Sequence, residues 1–143
     1  MIINEFRMVV DSRSVNESFS RATVSAFAAQ LDPTVEEIND IKTAVSEAVT
    51  NCIVHGYKNN VGRIYINVKI HNDNKVVITI RDRGCGISDI KKAREPLFTT
   101  LGGDRAGLGF SVMESFMDKL RVTSKIGKGT AITMRKRLGV HEN

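Results

Sequence analysis

Apolar and polar residues alternate over residues 2–10, a period of two that predicts a strand, and the polar run from Asp11 to Ser14 ends it. The period then lengthens. Phe19, Ala22, Ala26, Phe27 and Leu31 recur at helical spacing, with Ser14 or Asn16 as the cap and Arg21 and Ser25 turned outward. Asp32-Pro33-Thr34 divides this helix from the next, because proline cannot continue the first and Thr34 with Glu37 has capping-box spacing. In the second helix Ile38, Ile41, Val45, Val49 and Cys52 form the apolar stripe, and Gly56 with Asn59-Asn60 tolerates the left-handed turn that stops it. Alternation returns over residues 63–70 and 76–81, joined by Asn72-Asp73-Asn74, which predicts a hairpin. Beyond it come a glycine-rich loop at 82–87, a short helix over 89–94 capped by Ser88, and an aperiodic stretch to Gly109. An apolar helix over 110–117 and a last hairpin turning at 126–129 complete the pattern.

This order predicts an α+β two-layer sandwich, with helices on one face of a mixed, mostly antiparallel sheet. At 143 residues and 41% hydrophobic content, the chain is expected to be one domain, residues 1–143, able to bury about two-thirds of its unfolded surface. Cys52 and Cys85 have neither CxxC nor Cys/His spacing, which points away from zinc and toward a reducing compartment. The N-terminal run carries Glu5 and Arg7 and does not read as a signal peptide, and no apolar run reaches spanning length, so a soluble, cytoplasmic protein is expected. A net charge of +5 admits an acidic partner, a phosphate ligand or simple solubility. The basic residues look scattered and only 6% of residues are aromatic, so neither direct DNA binding nor membrane binding is expected.

Four stretches can carry chemistry. Glu47, Asn51 and His55, four apart, stack along one helix face; alone they are as well explained by a solvated face. Asp82, Gly84 and Gly86 form DxGxG after a strand: the glycines let backbone approach a ligand, and the carboxylate can accept from an exocyclic amine. Alone, the stretch is an ordinary strand-ending turn. Gly107-Leu108-Gly109 precedes a helix, whose free N–H groups and dipole suit phosphate, but it fits neither a P-loop nor a dinucleotide fingerprint. Gly127-Lys128-Gly129-Thr130 alone is a hairpin turn.

Together and in this order, the four resemble the ATP-binding fold shared by gyrase, certain chaperones, histidine kinases and mismatch-repair ATPases. More narrowly, NESFSRAT, SEAVTNCIVHGY, EPLFTT and DRAGLGFSVMESFMD resemble the anti-sigma F factors of spore-forming bacteria, serine protein kinases that also sequester a sigma factor. The resemblance implies ATP or ADP with Mg²⁺ as cofactors and a homodimer. It implies two partners: a sporulation sigma factor, and an anti-anti-sigma protein phosphorylated on serine.

It also implies roles. Asn51 would hold Mg²⁺, a hard ion suited to a carboxamide oxygen. Asp82 would accept from the adenine amine with Thr130 fixing that carboxylate or a bridging water, Gly84 and Gly86 would pass close to the base, and Ile87 would pack on it. Thr99, Thr100, Gly107, Leu108 and Gly109 would form a lid over the phosphates, with Gly102 and Gly103 as hinges. Glu47 would be the general base, Arg105 the partner of the γ-phosphate, His55 a phosphate contact, and Arg21 a contact for protein partners. One departure stands out: Leu101-Gly102-Gly103-Asp104 occupies the place where the family's lid often carries a proline and an acidic pair. Two other readings are a histidine-kinase catalytic domain and a nucleotide-gated ATPase without serine kinase activity. The first lacks a phospho-accepting histidine on a preceding helical hairpin, and the second would be expected to bring transducer domains.

Overall fold

A computed structural model describes residues 1–95 and 106–139. Strand β1 (Ile2–Asp11) leads into helix α1 (Val15–Ala28), a 3₁₀ turn (Ala29–Leu31) and helix α2 (Val35–Asn51), which continues as a π turn (Cys52–Gly56). Strands β2 (Arg63–His71) and β3 (Lys75–Arg81) follow, then helices α3 (Ile90–Ala93) and α4 (Ala106–Phe116) and strands β4 (Lys119–Lys125) and β5 (Gly129–Arg137). The sheet order is β1-β2-β3-β5-β4. All four pairings are antiparallel, so the sheet expected to be mixed is wholly antiparallel among the described residues. The reason lies in the last hairpin, whose second strand enters beside β3 while β4 takes the outer edge.

Period-two patterning in β2 and β3 sends Ile64, Ile66, Val68 and Ile70, with Val76, Ile78 and Ile80, to the helix side, where all are buried. Against them pack Ile41, Val45 and Val49 of α2 and Phe110 and Met113 of α4, also fully buried. Fully burying one such side chain contributes about 1.5–3 kcal/mol, so this layer dominates the stability. Phe6 of β1 meets Phe27 of α1 edge-on, with ring centroids 4.6 Å apart.

Helix α1 is rotated from its expected setting. Its buried residues are Ser20, Val24, Ser25 and Ala28, while Phe19, Ala22 and Ala26 are exposed. Counting apolar residues misplaced the face because the Ser25 hydroxyl donates back to the Arg21 carbonyl at 2.7 Å and so can be buried at little cost. Neither expected cap of α1 forms: Ser14 makes no side-chain cap bond, and Asn16 Nδ2 donates to the Asp11 carbonyl. Asp89, not Ser88, caps α3 by accepting from the Lys92 N–H.

The capping box of α2 is complete. The Glu37 N–H donates to Thr34 Oγ1 at 3.0 Å, and the Thr34 N–H donates to Glu37 Oε1 at 2.8 Å. Glu37 Oε1 also accepts from the Gly139 N–H at 3.3 Å, tying the end of the described chain to the start of the helix. Thr34→Ala is therefore expected to cost about 1 kcal/mol, read as a lower urea midpoint with an unchanged slope.

Candidate functional site

Where α2 ends, its hydrogen-bond ladder widens into the π turn, and the chain then passes through left-handed conformations at Lys58 (φ 51°) and Asn59 (φ 67°). The helix stop therefore uses Lys58 and Asn59, not Gly56 and Asn60. Gly56 answers a different demand: a Cβ there would lie 2.6 Å from Asp82 Oδ2. Gly84 is equally constrained, since its Cβ would fall 2.0 Å from the Gly56 carbonyl oxygen, which already accepts the Cys85 N–H at 2.9 Å. The glycines of DxGxG thus let the loop close on the protein's own backbone.

Between the end of α2, the 82–89 loop and α3 opens a cavity of about 440 Å³, within the size range of small-molecule sites. Asn51, His55, Gly86, Ile87 and Thr130 line it, five of the residues singled out by sequence. Asp82 lies directly behind the wall, against Gly56 and Thr130. Glu47 is not part of the lining; its carboxylate lies beside Gly109, whose Cβ would come within 3.0 Å of Oε2. Helix α4 begins at Ala106, so Gly107-Leu108-Gly109 forms its first turn and does not precede it; Leu108 is exposed and Gly109 buried. The expected contacts at Thr99, Thr100 and Arg105, and the hinges at Gly102 and Gly103, fall outside the described residues.

Asp82 is 1% exposed. Its Oδ1 accepts from the N–H groups of Gly84 at 2.9 Å and Thr130 at 3.3 Å, while Oδ2 is buried with no hydrogen-bond partner. Burial pushes this carboxyl above its ordinary value against the pull of those donors, and burial beside Asp82 also pushes the Cys52 thiol well up. Thr130 fixes the carboxylate by its backbone; its hydroxyl pairs with Ser124 at 2.8 Å, and Ser124 in turn accepts from the Ile87 N–H at 2.7 Å. Asn51, 5% exposed, likewise has a buried Oδ1 with no partner. Asn51 Oδ1 in the cavity's lining and Asp82 Oδ2 behind it are thus two buried acceptors without a hydrogen-bond partner, an arrangement that suits a ligand with donors or a cation.

Sequence reading passed over Lys58, Ser88, Asp89 and Lys92 at the cavity, and Ser124 behind it. Lys92 had a signal, its place in the basic cluster of the short helix after DxGxG; Ser124 had none. Arg21 is not a freely solvated arginine. Its Nη1 pairs with Glu17 at 2.6 Å and reaches Ser46 Oγ at 3.5 Å, beside Glu47 in sequence.

A family model described as histidine kinase-like ATPase domain matches residues 11–136. An anti-sigma F factor of Thermoanaerobacter sp. is 61% identical over 129 residues, covering 90% of each chain. One from Geobacillus kaustophilus is 51% identical over 136 residues, 94% of this chain and 93% of its own, and one from Clostridium acetobutylicum is 49% identical across the whole of both. Among solved structures, the RsbU and RsbW domains of Rv1364c from Mycobacterium tuberculosis superpose with a TM-score of 0.67 at 23% identity, over 94% of this chain and 32% of that one. The histidine kinase domain of an Erythrobacter litoralis blue-light activated histidine kinase gives 0.56 at 17%, over 85% and 60%. These two likenesses concern the fold alone.

Because the Asp82 pKa is raised on folding, its charge destabilises the protein above the unfolded value, and the cost fades as pH falls and the carboxyl takes up a proton. Asp82→Asn is therefore expected to be at least as stable as the parent at pH 7. Wild type should regain ground on the variant as pH is lowered toward 5, measured by urea unfolding at both pH values.

Proposed function

The chain belongs to the histidine kinase-like ATPase family and, within it, to the anti-sigma F factors, and from that footing we propose that it is a Mg-ATP-dependent serine kinase that sequesters a sigma factor. The observation that carries the reading is the pair of orphaned acceptors, Asp82 Oδ2 and Asn51 Oδ1, at one cavity. An adenine amine is a donor of the kind Asp82 Oδ2 lacks, and the missing Cβ at residue 56 is what lets the carboxylate lie close against the π turn. Asn51 would hold Mg²⁺. Among the described residues no group of three His, Cys, Asp or Glu side chains is placed to chelate an ion, so nucleotide phosphates and water would complete its shell.

The bound nucleotide would supply the phosphoryl group, and the chain's residues do the rest. Lys58 and Lys92 bring positive charge to the cavity beside the His55 imidazole, and the first turn of α4 carries the positive end of its helix dipole. Glu47, one turn before Asn51 and beside Gly109, is the group to take the proton from an attacking serine hydroxyl, and Arg105 is the guanidinium for the transferring phosphate. The serine belongs to an anti-anti-sigma protein, the sequestered partner is a sporulation sigma factor, and Arg21 contacts these proteins. Its tie to Glu17 and Ser46 supports that role by fixing the guanidinium ahead of contact. Among the described residues β1 pairs only with β2, leaving a ten-residue edge with Ile2, Ile3 and Val9 exposed, and we assign the homodimer to this edge. No helix among the described residues is long and apolar enough to cross a membrane, and the proposed role places the protein in the cytoplasm.

Incubation with labelled Mg-ATP and the serine-bearing partner tests the reading: label on the partner is the expected result, and free phosphate alone would leave only an ATPase. Glu47→Gln should bind nucleotide normally yet lose about 10²–10⁴ in transfer rate. Asn51→Ala should lose the Mg²⁺-dependent part of nucleotide affinity by calorimetry; identical behaviour of the two variants would overturn the division of roles. Arg21→Ala should weaken partner capture in a pull-down without changing nucleotide affinity.

A further inference from the structure

Basic residues that look scattered along the sequence are gathered in space. The alternation that buries one face of the sheet turns the other face away from the helices, and about half of the chain's 21 Lys and Arg residues lie on that outer face. The register sets them in rows. Lys69 stands opposite Val77, Val77 opposite Arg135, and Arg135 opposite Lys119, so one row crosses four strands with three positive charges. The next row runs Arg7, Asn67, Thr79, Thr133, Arg121, with short polar side chains between two arginines. Lys75 faces Arg137 at one end, and Arg81 and Arg63 stand toward the other. Among the described strand residues the carboxylates on this face are two from β1, Glu5, 3.6 Å from Arg7 and 4.0 Å from Lys69, and Asp11, with Asp73 and Asp118 flanking the strands. Burial and neighbouring Lys75 push His71 down, so it adds no charge at neutral pH.

The short side chains of the Asn67–Thr79 row leave a depression of about 420 Å³, where Arg7 and Arg81 stand beside Asn67, Thr79 and a largely apolar remainder that includes Val9, Tyr65 and Ala131. Asn67 Oδ1 there is buried without a partner. A trough with basic rims fits a charged ridge better than the plane of a lipid surface. Lys is depleted at protein–protein interfaces, whereas this face carries Lys69, Lys75, Lys119 and Lys125. Stacked single-stranded bases would need aromatic platforms. Among the described residues Tyr65 is the only aromatic on this face, and the Arg83 guanidinium lies 4.7 Å from its ring. Five strands at about 4.8 Å spacing make a face about 20 Å wide, over which a duplex carries roughly a dozen phosphates, those on its near side facing the sheet.

We infer that the outer face of the sheet binds the phosphate backbone of double-stranded DNA, independently of sequence and away from the nucleotide cavity. The Lys and Arg rows on either side of the trough meet the phosphates and release their counterions.

The test is anisotropy titration of the full chain with a fluorescent 20-base-pair duplex of arbitrary sequence. Affinity is expected to rise about 40-fold or more from 200 to 50 mM salt, as three or more phosphate contacts require, and to be unchanged for a second sequence. Arg121→Glu with Arg135→Glu, both at exposed strand positions, should weaken binding at least tenfold and flatten the salt dependence. Lys119→Gln with Lys125→Gln should do so to a smaller extent, with urea unfolding confirming the fold of each pair. Absence of duplex binding at 50 mM salt, variants that bind like the parent, or tighter binding to poly-glutamate, anionic vesicles or a single strand than to the duplex would each overturn the assignment.

Discussion

The site depends on keeping one carboxylate dry. Asp82 gives up water, receives two backbone donors on Oδ1 and nothing on Oδ2, and the surrounding structure makes this tolerable. Thr130 must arrive from β5, Gly84 must close on Gly56, and Ser124 must occupy the Thr130 hydroxyl so that only the backbone amide turns to the acid. A buried acceptor left unmade costs roughly 1–3 kcal/mol, which a ligand offering a donor can recover on binding.

Most of the fold was legible because period-two and helical periods are enforced by burial, and a core of Ile, Val and Met on the sheet leaves little ambiguity of face. Helix α1 was misread for a physical reason: Ser20 and Ser25 are small enough to pack closely, and Ser25 satisfies its hydroxyl within its own helix, so a polar letter stood for a buried position. The glycines were found but their reasons were not. Gly56 and Gly84 are fixed by mutual contact across the site, which no local pattern encodes, whereas Gly86, at φ 79°, is the kind of position the sequence does announce.

Charge shows the same limit in a larger pattern. Alternation places every second residue of a strand on one side, so a lysine at 69 and an arginine at 135 share a row although 66 positions apart, and no sequence window contains both. Composition reported +5 and could not say where it lay. The helix layer and the outer sheet face therefore offer chemically distinct surfaces, one a cavity with unsatisfied acceptors, the other a field of donors.

The strand order has a consequence in time. β5 enters between β3 and β4, so Asp82 meets the Thr130 amide across 48 residues of chain. A ribosome that has delivered α2 and β3 has already made Asn51 and Asp82, yet the sheet is unfinished beside them. Non-local pairing of this kind closes late. During synthesis the nascent chain therefore passes through a stage in which the acid is present and hydrated, and competence to hold a ligand there arrives only with the final hairpin.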